Sequence, residues 1–599
     1  MSHEPTGTGR AACHPLRPVA VWTPQLHREM RADGSQIIWQ AEPLDPPARH
    51  MSDRVSHWAQ AAPARIWMAE RNGAGTWDEV SYGALADRLP RIGQALLDLG
   101  LSVERPLVIL DGNSIGHALM ALGAQHAGVP SAAVSTAYAQ FGGGDKLAGI
   151  AAQITPGAVY APDPALARIA RDLLPGLPVL EQIPDAPARA QVHQAHAALT
   201  PDSIAKFMFT SGTTGAPKAV IQTQRMLCAN QAMIADCYRF LTEEPPVFVD
   251  WAPWNHVASG SKVFNMAIHF GGTFHVDAGK PTPRGMAETI RNLREVAPSW
   301  YFNVPTGFDA LCDAMEADAA LRDRFFSRLK MVMYAGAGMS LRTWDRLQAL
   351  SVAATGARTL MGSGLGATET GPFALASVRD VAGPGNIGLP ARGVVMKLVP
   401  HTGKMELRLK GPNITPGYWR APDLTAAAFD EEGFYRMGDA LRPVDPDDPA
   451  QGFVFDGRTA ENFKLDTGTW VAVGPLRAAL VDALGGLAQD AVLTGENQPR
   501  IGALLVPGLP EIARLFGPGT ALDDPRLTEL LRARLAEFAA RATGSSTRVM
   551  CAMWLADPLD PAAGEVTDKG SVNQRAVLMH RPALVAQLHE GGAGVVTLP

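Results

Sequence analysis

The chain is short of the features that would place it in several large protein classes. It has 5 cysteines in 599 residues. Cys13, Cys228, Cys237, Cys312 and Cys551 are scattered, form no CxxC pair and have no histidine at ligand spacing, so neither a disulfide framework nor a structural zinc is expected. No run of about 18 uninterrupted apolar residues occurs, so no membrane insertion is expected. The opening stretch, MSHEPTGTGRAACHPLRP, lacks the apolar core of a secretory signal, and a cytoplasmic location is expected by default. Lysine and arginine never gather into a block, and a net charge of −6 offers no basic face to nucleic acid. Internal repeats and low-complexity tracts are missing as well.

What is present suits a large soluble globular protein. Hydrophobic residues make up 46% and charged residues 19% of the chain, enough to bury a sizeable interior in two or more domains. Residues 1–40 read as a loosely ordered lead pinned by Trp22 and Trp39. From Trp77 onward, strand-like runs alternate with helical ones: TWDEVSY, a helix over Tyr82–Leu99, a strand at Pro106–Leu110, a helix at Ser114–Ala127 and a strand near Pro130–Val134. The same rhythm returns at Val247–Trp251, Thr273–Asp277, Trp300–Val304 and Met331–Ala335. Such alternation predicts a mostly parallel α/β architecture. Residues 412–457 are turn-rich and predict a small β subdomain. Past Arg458 the pattern changes again, to a tail with the size of a separate α+β domain.

The most informative stretch is Thr210-Ser211-Gly212-Thr213-Thr214-Gly215-Ala216-Pro217-Lys218. Four hydroxyl residues and two glycines in its first six positions suit a loop that wraps an oligophosphate, although the same composition also makes ordinary solvated turns. IAKFMFT before it and KAVIQ after it read as strands, and Thr223 reads as the cap of a helix burying Met226, Leu227, Asn230, Met233, Ile234 and Cys237. A Walker A loop would run from its lysine into Ser/Thr and directly into a helix. Here Ala219 and a strand follow, which disfavours a P-loop nucleotidase or kinase.

The string resembles the phosphate-binding signature of the adenylate-forming (acyl-activating) enzymes. That resemblance implies a large AMP-binding domain of layered, mostly parallel sheets with a small β subdomain (41–459) and a smaller mobile α+β lid (460–599). It also implies ATP, Mg²⁺ and CoA as reactants. Carried over residue by residue, Thr210, Ser211, Gly212, Thr213, Thr214 and Gly215 hold phosphate, and Lys218 steadies the loop. Gly362 to Gly371 resembles the YGxTE motif, with Glu369 as metal ligand, Thr368 beside it and Leu365 where an aromatic residue commonly covers the adenine. A Thr-Glu pair after glycines is otherwise a common helix start. Tyr334-Ala335-Gly336-Ala337-Gly338 resembles the adenine-side loop, carrying Gly336, Ala337 and Gly338, and without the family would be only a strand-to-helix turn. Asp439, in GFYRMGD, faces the ribose, with Met437 replacing the usual threonine. Arg458 also faces the ribose, and Ala460 takes the hinge slot beside Glu461. Lys569, in GEVTDKGS, is the catalytic cation, displaced from its glycine. It is also the only lysine after Lys464.

Asp250-Trp251-Ala252-Pro253-Trp254-Asn255-His256 resembles the segment lining the acyl pocket, with Trp254 and His256 as ring wall and gate and Asn303 as a further wall. Plain core packing is the competing reading for Trp254 and His256. The combination of GLGATETGP, FYRMGDALRP, AENFKLDTGTWVAVGPLR and GEVTDKGSVNQRAVL resembles the feruloyl-CoA synthetases, bacterial ligases of hydroxycinnamic acids. The implied partners are thus a small carboxylic acid, ATP and CoA. The rivals are a ligase for benzoates or fatty acids, a carrier-loading enzyme, and a non-catalytic nucleotide-binding homologue. No carrier site with its serine follows Lys569, which favours CoA as acceptor.

Overall fold

The glycine-rich stretch closes a hairpin. Strand Ile204–Ser211 pairs antiparallel with Pro217–Thr223, from Ser211 opposite Pro217 down to Lys206 opposite Gln222. Thr223 then caps the helix Gln224–Cys237, its hydroxyl accepting from the Met226 N–H at 3.3 Å, and the predicted apolar face of that helix is buried. The strand–loop–strand–helix order read from the sequence is thus the order in the computed structural model, which describes residues 14–140, 144–211, 217–401, 403–459, 461–560, 563–566 and 572–599.

Around this hairpin lies a six-stranded sheet in the order Pro217–Thr223, Ile204–Ser211, Ser131–Ala133, Leu107–Ile109, Ala158–Tyr160, Val179–Leu180. Every pairing after the hairpin is parallel. Parallel strands require crossovers, and the helix Ile115–His126 makes the one from Leu107–Ile109 to Ser131–Ala133, with the helix Tyr82–Asp98 packed against it. Ser81 and Ser114 cap these two helices. A second layer combines Val247–Asp250, Thr273–Val276, Ile66–Arg71 and Trp77–Ser81, and a third is the parallel set Trp300–Asn303, Met331–Tyr334, Leu360–Gly362. Their shared interior includes Trp67 and Trp300, both almost wholly buried. Each such ring contributes on the order of 2–3 kcal/mol relative to exposure. The fold is the layered α/β class expected.

Two expectations are corrected. The lead is not loose over residues 26–40: Leu26–Met30 pairs with Gln36–Gln40, which pairs in turn with Val395–His401, and Trp22 is buried. The partner strand lies some 350 positions downstream, so no local pattern announces it. The β subdomain is also larger than residues 412–457. It is a nine-stranded sheet running Leu26–Met30, Gln36–Gln40, Val395–His401, Lys404–Lys410, Tyr435–Pro443, Phe453–Arg458, Asn386–Pro390, Leu375–Ala376, Gly364–Leu365.

The C-terminal residues build their own interior. Ala488–Thr494, Ile501–Pro507, Val549–Trp554 and Val596–Thr597 form a four-stranded sheet. Its core runs from Phe463 to Leu598, whereas the principal core ends at Phe453. Ala460, the expected hinge, lies outside the described residues. Among the described residues no helix is long and apolar enough to cross a membrane.

Candidate active site

Tyr418 sits between the hairpin and the Gly362–Gly371 loop. It bridges to Val220 of the hairpin, its ring lies 5.4 Å from Lys218 Nζ, and its phenol donates to Glu369 Oε1 at 3.0 Å. Burial and the neighbouring Glu369 charge push the Tyr418 phenol up, out of the range in which it could ionise. It therefore stays a donor. Glu369 is buried except for 8% of its surface, on the single turn Thr368–Thr370.

The backbone around that turn is tied on every side. Gln222 donates to the Thr368 carbonyl at 2.9 Å and accepts from Ser261 Oγ at 2.7 Å. Thr415 N–H donates to the Glu369 carbonyl at 2.8 Å. Asn230 and Asn413 both donate to the Phe373 carbonyl at 3.0 Å. Gly366 is required by close approach: a Cβ there would sit 1.7 Å from the Pro372 carbonyl oxygen. Leu365, half-buried, packs against the principal core. Gly336, Ala337 and Gly338 are exposed at the end of strand Met331–Tyr334, with Gly336 at φ +90°.

Asp439 and Arg458 face each other across adjacent strands. Asp439 is 5% exposed, and its Oδ1 has no hydrogen-bond partner among the described residues, only the Arg458 Nε at 3.6 Å. Burial raises its carboxyl to about 6; the Arg458 charge opposes the rise, while Glu461 and Glu369 add to it. The Arg458 side chain is 64% exposed. A buried, underused carboxylate oxygen beside an exposed guanidinium can accept from a polyol.

The acyl segment is held differently from expectation at one residue. Asn303 is completely buried, and its amide is spent on Trp251 Nε1 at 3.2 Å, its neighbour Val304 N–H at 2.9 Å and the Tyr301 hydroxyl at 3.3 Å. It positions Trp251 and does not present a free amide to a pocket. Trp254 is buried, edge-on to His117 and Phe264, and lines a cavity with both. His256 is half-buried at the start of the π-helical turn Ala258–Val263. Asp250 accepts from Ser259 Oγ and from Ala252 N–H, tying the Trp254 loop to that turn; burial raises its carboxyl to about 7.

Thr210 pairs with Lys218 at the mouth of the hairpin. Gly212, Thr213, Thr214 and Gly215 lie outside the described residues, as does the side chain of Ser211, and so does Lys569. The base of the Lys569 loop is nevertheless fixed: Val566 bridges Val572, and Glu565 pairs with Arg581, Nε to Oε1 at 2.8 Å. Sequence reasoning missed Tyr418, Asn413 and Gln222. Each is an uncharged residue in a strand or turn, and only its contacts with Glu369 or its loop mark it.

The AMP-binding enzyme family model matches residues 55–419, and the chain belongs to that family. Among curated relatives, a 4-hydroxybenzoate–CoA/benzoate–CoA ligase of Rhodopseudomonas palustris is 26% identical over 445 residues, 70% of this chain and 76% of that one. A carboxylic acid reductase of Mycobacterium marinum is 26% identical over 343 residues, 52% of this chain but only 28% of that protein. The chain thus spans less than a third of that longer relative. Among solved structures, an anthranilate CoA ligase in complex with anthranoyl-AMP superposes with a TM-score of 0.70 at 17% identity, covering 91% of this chain and 99% of the other.

Proposed function

We propose that the chain is an ATP-dependent acid–CoA ligase for an aromatic carboxylic acid of the hydroxycinnamic type, ferulic acid included. The observation that supports it most directly is the convergence at Tyr418 of the phosphate hairpin, through Lys218, and Glu369, with Asp439 close enough to feel the Glu369 charge. The aromatic wall of Trp254 and Phe264 and the likeness to a hydroxybenzoate/benzoate ligase favour a ring-bearing acid. The stretches FKLDTGTWVAVGPLR and GEVTDKGSVNQRAVL carry the resemblance to feruloyl-CoA synthetases.

The reaction has two halves. A carboxylate oxygen of the acid attacks the α-phosphorus of ATP; the bond from that phosphorus to the pyrophosphate oxygen breaks, giving acyl adenylate. The CoA thiolate then attacks the acyl carbon, the bond to the AMP oxygen breaks, and thioester and AMP are released. In this reading Thr210, Ser211, Thr213 and Thr214 hold phosphates through backbone and hydroxyls, and Gly212 and Gly215 let the loop fold around them. Gly336, Ala337, Gly338 and Leu365 frame the adenine. Asp439 accepts from ribose hydroxyls and Arg458 supports it. Lys569 places a positive charge at the α-phosphate as charge develops there, and rotation near Ala460 exchanges the two half-reactions.

Among the described residues no three His, Cys, Asp or Glu side chains gather around a metal. One carboxylate, Glu369, with Thr368 beside it, fits Mg²⁺ well, because Mg²⁺ beside a nucleotide usually takes one or two carboxylates and completes its shell with phosphate and water. Bound there it would neutralise phosphate charge.

Acid-dependent ATP–pyrophosphate exchange tests the reading. Exchange with hydroxycinnamates above that with benzoates or fatty acids supports it. Exchange led by another acid class replaces the substrate, and no exchange with any acid leaves the non-catalytic homologue.

A further inference from the structure

Strand Ile204–Ser211 carries a lysine in its interior. Lys206 shares a face with Met208 and Thr210, because alternate residues of a strand point the same way. Its partners across the sheet are Ser131 on one side and Gln222 on the other. Lys206 Nζ donates to the Gly260 carbonyl at 2.7 Å. Among the described residues no carboxylate pairs with it, and burial brings its ammonium down to about 8. Lys206 is half-buried, and a cation drawn partly out of water with no anion among the described residues costs stability, so its persistence calls for a use.

Lys206 lines a cavity with His117, Ser131, Trp254 and Phe264. His117 Nδ1 lies 2.8 Å from the Gly112 carbonyl. A carbonyl can only accept, so this contact puts the proton on Nδ1 and leaves Nε2 as an acceptor. Burial holds the imidazole neutral, at about 4, and the nearby Lys206 charge acts in the same direction. Ser131 Oγ accepts from Gln125 at 3.1 Å, which leaves its own O–H to donate. Trp254, Phe264 and Phe207 supply aromatic walls, Lys206 and Ser131 offer donors, the Gly260 carbonyl is already engaged by Lys206, and the His117 imidazole offers an acceptor. A carboxylate would meet Lys206 but also the His117 lone pair. A hydroxyl on an aromatic ring satisfies both, accepting from one and donating to the other.

We propose that this cavity is the far end of the acyl pocket, where Lys206 and His117 read a phenolic hydroxyl of the acid. The inference rests on the aromatic acid ligase reading. Thr210, at the phosphate end of the same strand face, is about 13 Å from Lys206 at a strand rise of ~3.3 Å per residue. That separation suits a ring carried on a short extended chain; the hydroxyl of a benzoate would fall short of the cavity.

The test is binding of 4-hydroxycinnamate, 4-methoxycinnamate and cinnamate to the full chain by calorimetry without ATP, for the wild type and Lys206→Met. The wild type should bind the hydroxy acid about tenfold or more tighter than the other two, because a hydroxyl unpaired in the site forfeits a charge-assisted bond. Lys206→Met should bring the hydroxy acid to within about threefold of cinnamate, with cinnamate itself little changed. Equal wild-type affinities for the three acids would overturn the inference, as would a preference that survives in Lys206→Met. The comparison among acids in the wild type stands even where the variant does not fold. If the preference is found but no CoA thioester forms with ATP and CoA, the hydroxyl site stands and the ligase reading fails.

Discussion

The phenol of Tyr418 donates to Glu369 Oε1 at 3.0 Å while its ring lies against Lys218. One aromatic side chain therefore sets the spacing between the hairpin and the only carboxylate on the Gly362–Gly371 loop. Its neighbour Tyr435 is buried beside the same Glu369 charge, and its phenol is likewise pushed up.

Tyr418→Phe keeps the ring and removes the donor. A hydrogen bond to a charged group is worth about 1.5–3 kcal/mol. In the proposed reading the Mg²⁺ concentration at half-maximal pyrophosphate exchange should shift at least severalfold, with the unfolding midpoint lowered by only a few degrees. A Mg²⁺ titration identical to wild type would show that Tyr418 does not orient the metal-side carboxylate.

Asp439 predicts a pH dependence. Its carboxyl is raised to about 6 by burial. Between the ordinary value near 4 and about 6, the folded protein holds a proton that the unfolded chain has lost, so this group's contribution to stability declines as pH rises through that window. The proposed ribose recognition needs the opposite form, the carboxylate. The KM for ATP should be flat above about pH 6 and climb as pH falls below it, approaching tenfold per pH unit. Asp439→Asn should raise KM and flatten the profile, and a wild-type KM unchanged from pH 7 to 5 would contradict the role.

Lys262 makes a stability prediction. It is buried among Phe373, Trp300 and Tyr238, with Nζ 2.8 Å from Met333 Sδ. Burial brings its ammonium down to about 7. From about 7 up to the ordinary lysine value near 10.4, the unfolded chain binds the extra proton, so stability from this residue rises with pH in that window and its penalty is complete below 7. Lys262→Met should raise the unfolding midpoint at pH 6 by about 2 °C or more and remove part of the rise toward pH 9. A lower midpoint at pH 6 would mean the charge is compensated.

Much of the α/β layering was legible, because strands such as Trp300–Asn303 and Met331–Tyr334 are short apolar runs set between helices whose caps and periodicity are local signals. The hairpin was legible for the same reason. Leu26–Met30 and Gln36–Gln40 were not, since their register is set by Val395–His401 far along the chain. At the site, glycines and charged residues stood out in motifs, whereas Asn303 was misread. Its amide is committed to Trp251 and Tyr301, and commitment of that kind is visible only in three dimensions. Lys206 was passed over inside an apolar strand because a lone lysine there carries no pattern.

Lys569 acts, in the proposed mechanism, in the first half-reaction only. In the proposed mechanism Lys569→Ala should abolish pyrophosphate exchange, by about 100-fold or more if a charge at the α-phosphate is lost, yet leave thioester formation from supplied acyl adenylate within a few-fold. Equal loss of both steps in a folded variant would remove the residue from the role given to it.

Gly366→Ala tests the loop that carries Glu369. With the Pro372 carbonyl oxygen 1.7 Å from the new Cβ, the backbone has to shift. Exchange activity should fall at least tenfold while the C-terminal core, built from other residues, unfolds as in wild type. Full activity in this variant would show that the close approach is not needed.

The most direct measurement is product formation by the full chain given ATP, Mg²⁺, CoA and a panel of acids, followed by mass spectrometry of the CoA fraction. The expected product is a hydroxycinnamoyl-CoA thioester with equimolar AMP and pyrophosphate, formed faster than any benzoyl- or fatty acyl-CoA. A chain that makes no thioester from any acid, or that releases ADP and phosphate instead of AMP and pyrophosphate, would contradict it.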